Sequence, residues 1–415
     1  MILYYHKLIY LLPLALITGP FLPDLIVVLC SLLFLIDTFR LKLFKYYDNY
    51  FFKIFIIFFI LINLSSLFAE YYNSFKYSIG YIRYGIFSIF LYYVLLNFKN
   101  FKFNFSVVFF STFMVVIIDG YVQYFFGKNI FLIELQKYQS DLYYVTSFFG
   151  EEKKLGSYLS RLAPIFFISI LMIEDKFKLK VSYLNSIIIL ILLILVLLTT
   201  ERVSIFLTGS LFIFILFKSK YLITSKKFFF VIGASLIFLV FYHSPNLLEK
   251  MKSILYSSGI LFPGWNEVGA PGKGGVIGGY DLGTFYFSKF HQDQVINSFN
   301  IFKESPFLGV GAKNFKLFVT NGWHPHNFHG QVLAELGIFS YLLFFLTFIF
   351  LLVKSIKIFF FEKHNSLEEE LKNYLYIIIL LNFLPIPSGD FFNNWLNILI
   401  YLPFGFLLFL NEKKI

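Results

Sequence analysis

Three of the chain's seven histidines fall inside one short stretch, Trp323-His324-Pro325-His326-Asn327-Phe328-His329, with Gln331 and Glu335 just beyond it. Histidine is the side chain that titrates nearest neutrality, so the cluster points to proton transfer or to metal ligation. His-x-His and His-x-x-His are ligand spacings, but Pro325 breaks a regular ligand face and no carboxylate lies inside the cluster. Proton transfer is therefore the favoured chemistry. The plainer alternatives are wetted interfacial histidines, Asn327 as a helix cap, and Trp323 and Phe328 as interface anchors.

Arginine supplies the second chemical signal. The chain has only four, and Arg83, Arg161 and Arg202 map to the ends of apolar runs on the side where positive charge is normally sparse. A planar fork of donors suits phosphate oxygens better than a point charge does, so these three are candidates for holding a phosphate group. The competing reading pairs each with a nearby acid such as Glu201, or lets it snorkel to the headgroups.

The elements that must position these groups are membrane helices. Of 415 residues, 58% are hydrophobic and 14% charged, with mean hydropathy +0.75, which defines an all-α polytopic membrane protein. Apolar runs near 2–18, 24–39, 51–68, 76–96, 105–126, 159–174, 182–198, 202–217, 228–242, 331–353, 373–387 and 394–410 predict about twelve spans. The organisation is spans 1–9 over 1–242, a long loop over 243–330, and spans 10–12 over 331–415. No cleavage site follows the first run, which reads as an uncleaved helix. Cys30, the single cysteine, sits in an apolar run and excludes disulfides.

The net charge of +11 does not imply nucleic acid, because the lysines sit in short connections between apolar runs. Arg40, Lys45, Lys99, Lys176, Lys218, Lys357 and Lys413 all fall on one side, which the positive-inside rule makes cytoplasmic, together with both termini. The histidine stretch then lies on the outer side. In the long loop, Gly272-Lys273-Gly274-Gly275 is like a phosphate loop only superficially, and His291 to Lys303 reads as a short amphipathic helix on the membrane surface.

Gly150-Glu151-Glu152-Lys153-Lys154, Thr200-Glu201-Arg202-Val203-Ser204, Pro306-Phe307-Leu308-Gly309-Val310-Gly311 and His324-Pro325-His326-Asn327, in that order on this topology, resemble the O-antigen ligase and polymerase superfamily over roughly residues 75–345. The resemblance implies a metal-independent, cofactor-free inverting glycosyltransferase at the periplasmic face of the bacterial inner membrane. Its donor would be a glycan on undecaprenyl diphosphate; its acceptor would be lipid A-core for a ligase, or another lipid-linked repeat for a polymerase. The family's catalytic histidine maps onto His326 and its helix-opening arginine onto Arg202. The family's second arginine has no counterpart here, and Lys289 and His291 are the nearest basic groups. Arg161, Arg83, Asn327, Gln331, Glu335 and His324 complete the expected substrate and diphosphate contacts. A transporter of lipid-linked glycans would also use a basic cavity, but the chain shows no internal repeat or paired broken helices.

Overall fold

The computed structural model describes residues 4–71, 74–137, 143–178, 182–220, 222, 233, 289–319, 322–362 and 366–412. The expected span near 228–242, the glycine-rich section of the long loop and the terminal lysines lie outside these residues. What is described is a helical bundle with one two-residue hairpin, Gln136–Lys137 against Tyr143–Tyr144.

A 3-10 helix at Tyr4–Leu11 runs into the single turn α1 (Leu12–Ala15), and Gly19-Pro20 breaks the chain before α2 (Phe21–Leu41). There follow α3 (Tyr50–Leu67), α4 (Ser74–Gly80), α5 (Ile82–Asn97), α6 (Phe101–Phe126), α7 (Leu155–Phe177), α8 (Ser182–Leu198) and α9 (Arg202–Lys218). The second part holds α10 (Lys289–Glu304), α11 (Phe328–Phe360), α12 (Leu367–Asn382) and α13 (Asn394–Glu412). Local signals explain several ends. Asn49 caps α3 by accepting from the Phe52 amide at 2.9 Å, and α2, α6 and α7 stop at left-handed Lys42, Gly127 and Lys178.

Among the described residues, seven helical stretches are long and apolar enough to cross a membrane, rather than about twelve. They are α2, α3, the joined α4–α5, α6, α7, α11 and α13. The first apolar run divides into 3-10 and α pieces, and α8, α9 and α12 are 17, 17 and 16 residues long, below the usual spanning length.

The bundle has two distinct faces. On one, the ends of the helices are joined by contacts that cross the whole sequence: Trp395 donates to the Leu16 carbonyl, Asn394 to Asp24, the Val145 amide to the Leu198 carbonyl, and the Ser388 amide to the His326 carbonyl. The lysine-rich connections gather at the opposite face. There Lys354 pairs with Glu362 at 2.7 Å, and Glu370 accepts from Ser219 and the Lys220 amide. A buried aromatic core that includes Tyr81, Phe87, Phe90, Phe113, Tyr158 and Phe166 fills the space between the faces.

Inside the bundle, α3, α11, α12 and α13 enclose an apolar cleft of about 620 Å³, lined by Phe55, Phe58, Phe328, Phe344, Tyr401 and Phe404 among others. It extends from Asn49 and Asn411 at the lysine-rich face to Tyr81 and Phe391 near the other. Along α13 that is roughly 20 Å at the helical rise per residue.

Candidate functional site

The site is organised around an interruption in α11. Gly337 has φ 72° and ψ −174°, a conformation essentially reserved for glycine, and it divides the helix into 328–336 and 338–360. The backbone groups freed by the break are taken up by the preceding segment. The Val310 and Gly311 amides donate to the Ala334 and Glu335 carbonyls at 3.1 and 2.8 Å, and the Ile338 amide donates to the Pro306 carbonyl at 2.9 Å. The approach is so close that a Cβ on Gly309 would lie 2.4 Å from Glu335 backbone atoms, and one on Gly337 would lie 2.3 Å from the Phe307 oxygen.

Glu335 locks this arrangement. Its carboxylate accepts from the Lys313 and Phe315 amides, both at 3.0 Å, and from Gln331 Nε2 at 3.1 Å, while its side chain is almost fully buried. Gln331 in turn donates to Asp390 at 2.7 Å and accepts from the Phe391 amide at 2.7 Å. Asn327 is the N-cap of α11, accepting from the Gly330 amide at 3.0 Å. All three expected substrate contacts are thus engaged in fixing the backbone that presents the histidines.

That backbone holds His326 at φ 52°, in the left-handed region, with its carbonyl bound to Ser388 and its neighbour Asn327 bridged to Pro387. The ring sits in a ring-lined pocket, with centroids of His324 at 3.8 Å, Phe290 at 5.3 Å, His291 at 5.7 Å and Trp323 at 6.2 Å. His324 Nε2 and His326 Nε2 are both buried with no hydrogen-bond partner among the described residues. Burial, then the charges that His324 and His291 would carry, pushes His326 down to about 4, only partly offset by the Ser388 backbone. Burial also lowers His324, against Asp390, and lowers His291, where Arg202 acts in the same direction.

His291 comes from α10, which packs along 328–336. This helix buries polar Gln294 and Ser298 against α11 and exposes Ile296 and Phe299. An apolar outer surface of this kind suits a helix lying against lipid. Gln294 is fully buried, and both its amide atoms lack partners among the described residues. Lys289 opens α10, and its side chain lies outside the description.

The arginines separate into three environments. Arg202 is exposed at the first position of α9, with no hydrogen bond or ion pair among the described residues, and its charge reaches His291. Glu201, just before it, is turned away: its carboxylate accepts from the Gly156 and Ser157 amides at 2.7 and 2.9 Å and from Ser204 Oγ at 2.9 Å, capping α7. Arg161 is buried in α7, where it donates to Ser157, feels the Glu201 charge, and leaves Nε without a partner among the described residues. Arg83 does not join Arg202. It pairs with Asp24 at 2.9 Å, donates to the Gly80 carbonyl and to Tyr84, and lines a separate cavity.

His329, the third member of the cluster, is structural: its Nε2 lies 2.7 Å from the Phe383 carbonyl, among Tyr341, Phe344 and Phe348. Sequence reasoning missed Asp390 and Ser388, which anchor the histidine stretch from the turn before α13. The composition Pro387-Ser388-Gly389-Asp390 marks that turn, but nothing in it indicates its partners. Among the described residues no group of three or more His, Cys, Asp or Glu side chains is arranged to hold a metal ion. Scanned against protein-family models the chain matches none, and a search of curated proteins returns no match.

Proposed function

We propose that the chain is an O-antigen ligase-like inverting glycosyltransferase, which moves a glycan from undecaprenyl diphosphate to a hydroxyl acceptor at the periplasmic face of the inner membrane. A ligase would use lipid A-core as acceptor, and a polymerase of the same type would use another lipid-linked repeat. The observation that carries the reading is one juxtaposition: His326, whose Nε2 has no hydrogen-bond partner among the described residues, shares a pocket with His291, on which the charge of Arg202, itself without an ion pair among the described residues, acts.

In this mechanism the acceptor oxygen attacks the anomeric carbon and its proton passes to His326 Nε2. The bond from the anomeric carbon to the diphosphate breaks, and its electron pair leaves with the lipid diphosphate. Arg202 stabilises the charge that builds on the departing oxygens. Lys289 and His291 are the basic groups nearest to where the family's second arginine is expected, and a diphosphate beside them would draw both His291 and His326 back toward neutral titration. The apolar cleft supports a lipid-linked substrate, since its lining includes Phe328, two residues from His326, and its volume falls within the size range of ligand pockets.

His326→Ala is expected to lower glycan transfer by at least about 10²-fold, the usual contribution of a positioned proton acceptor, while membrane insertion is unchanged. Surface glycan in a deletion strain carrying the variant gives the readout. A normal glycan profile with normal protein level would remove His326 from the mechanism.

A further inference from the structure

We propose a second anion-binding site, separate from the one containing Arg202 and His326, that holds a phosphate-type group of the acceptor or of a membrane lipid. Its ligand as acceptor rests on the transferase reading; its existence as an anion site does not. The site is the cavity of about 370 Å³ between α4, α5, the 313 turn and the start of α13. Lys76, Arg83 and Lys313 line it, with Tyr77, Asn393 and Asn394, and neither Arg202 nor any histidine does.

The charges are arranged to leave positive potential in this space. Asp24 is consumed by Arg83 at 2.9 Å and by Asn394 at 2.9 Å. Asp390 gives its short bonds to Gln331 and the Phe392 amide, and lies 3.9 Å from Lys313 Nζ. Lys76 is exposed and has no partner among the described residues. Three cations therefore meet two carboxylates, Asp24 paired with Arg83 and Asp390 at 3.9 Å from Lys313, which leaves one net positive charge centred on Lys76, and the first turn of α13 adds the positive end of a helix to the same wall.

Lys313 is placed there at a cost. Its φ is +63°, in the left-handed region that non-glycine residues seldom adopt, and Glu335 holds it there by accepting its amide. The ammonium is laid over the Tyr77 ring at 4.3 Å, at the wall of the cavity. The residue that locks the histidine stretch thus also aims Lys313, so the two sites are built on one support. A transferase joining two phosphorylated lipids would need two such anion sites, one for the leaving diphosphate and one to hold the incoming molecule.

The test uses the purified full chain in phosphatidylcholine nanodiscs, with inorganic phosphate as probe and calorimetric titration as readout, all in an Arg202→Gln background that disables the first site. Phosphate binding is expected to persist there and to weaken at least tenfold when Lys76→Gln and Lys313→Gln are added. It should be recovered by Lys76→Arg with Lys313→Arg, and should stay within twofold in Lys128→Gln. No binding in the Arg202→Gln background, or binding indifferent to both lysines, would overturn the proposal. Unchanged melting of each variant guards against misfolding. Repeating the titration with phosphatidylglycerol in the nanodiscs assigns the source: loss of phosphate binding identifies a lipid headgroup as occupant, and retention identifies a phosphate carried by the glycan.

Discussion

At the scale of single residues, the environment decides which of several chemically similar side chains remains available. His326 and His329 stand three residues apart, yet His329 spends its Nε2 on a backbone carbonyl and that of His326 has no partner among the described residues. Among the arginines, Arg83 is committed to Asp24, whereas Arg202 has no ion pair among the described residues because Glu201 is used to cap α7. The histidines also set a pH dependence. His326 is held at about 4, below the ordinary value of 6.5, and His324 and His291 are lowered too. The unfolded chain therefore binds more protons than the folded one between pH 6.5 and about 4, so stability rises with pH across that window. The melting temperature of the detergent-solubilised protein should fall as pH drops from 7 to 4.5, and His326→Gln should flatten that fall. An identical slope in the variant would show that His326 does not carry the shift.

At the scale of elements, the unexpected feature is that α11 is two helices separated at Gly337. The sequence shows one apolar run through 331–353, and an isolated glycine in a helix costs only about 1 kcal/mol, so no local signal marks the break. The break exists because Pro306 to Gly311 docks on it, and that pairing spans tens of residues. The motif Pro306-Phe307-Leu308-Gly309-Val310-Gly311 is recognisable in the sequence though its docking partner is not, and the short helix α10 is legible as an amphipathic stretch. The partnerships of Gln331 with Asp390 and of Arg83 with Asp24 are not, since each joins residues 59 positions apart in the chain. Gly337→Ala should cost about 3 kcal/mol or more, combining a glycine-only conformation with a Cβ 2.3 Å from the Phe307 oxygen. Gly209→Ala is the matched control, because its Cβ would meet nothing within 4 Å. Thermal melting of the two variants in the same detergent decides the matter, and equal melting would mean that the break can be given up.

At the scale of the whole molecule, composition alone establishes a helical membrane protein, while span number depends on short helices that no periodicity resolves. The alternation of lysine-rich and lysine-poor connections carries more information. In the structure, the turn before α2, the Lys128 loop, the α8–α9 turn and the 387–390 turn belong to the face that holds His326, and the ends of α2, α9 and α11 that carry Arg40, Lys218 and Lys357 belong to the other. Positive charge concentrates on the side where anionic lipid and the insertion machinery retain it, so the His326 face should be the outer one. Cys30 is fully buried, and its replacement by Ala leaves a background for single cysteines. Lys128→Cys and Arg40→Cys place a thiol at positions whose side chains are 54% and 61% exposed, on opposite faces. A membrane-impermeant maleimide applied to spheroplasts should modify the first and spare the second until the membrane is broken. The reverse pattern would put His326 and Arg202 in the cytoplasm, where nucleotide-sugar donors are present, and the lipid-diphosphate chemistry would lose its rationale.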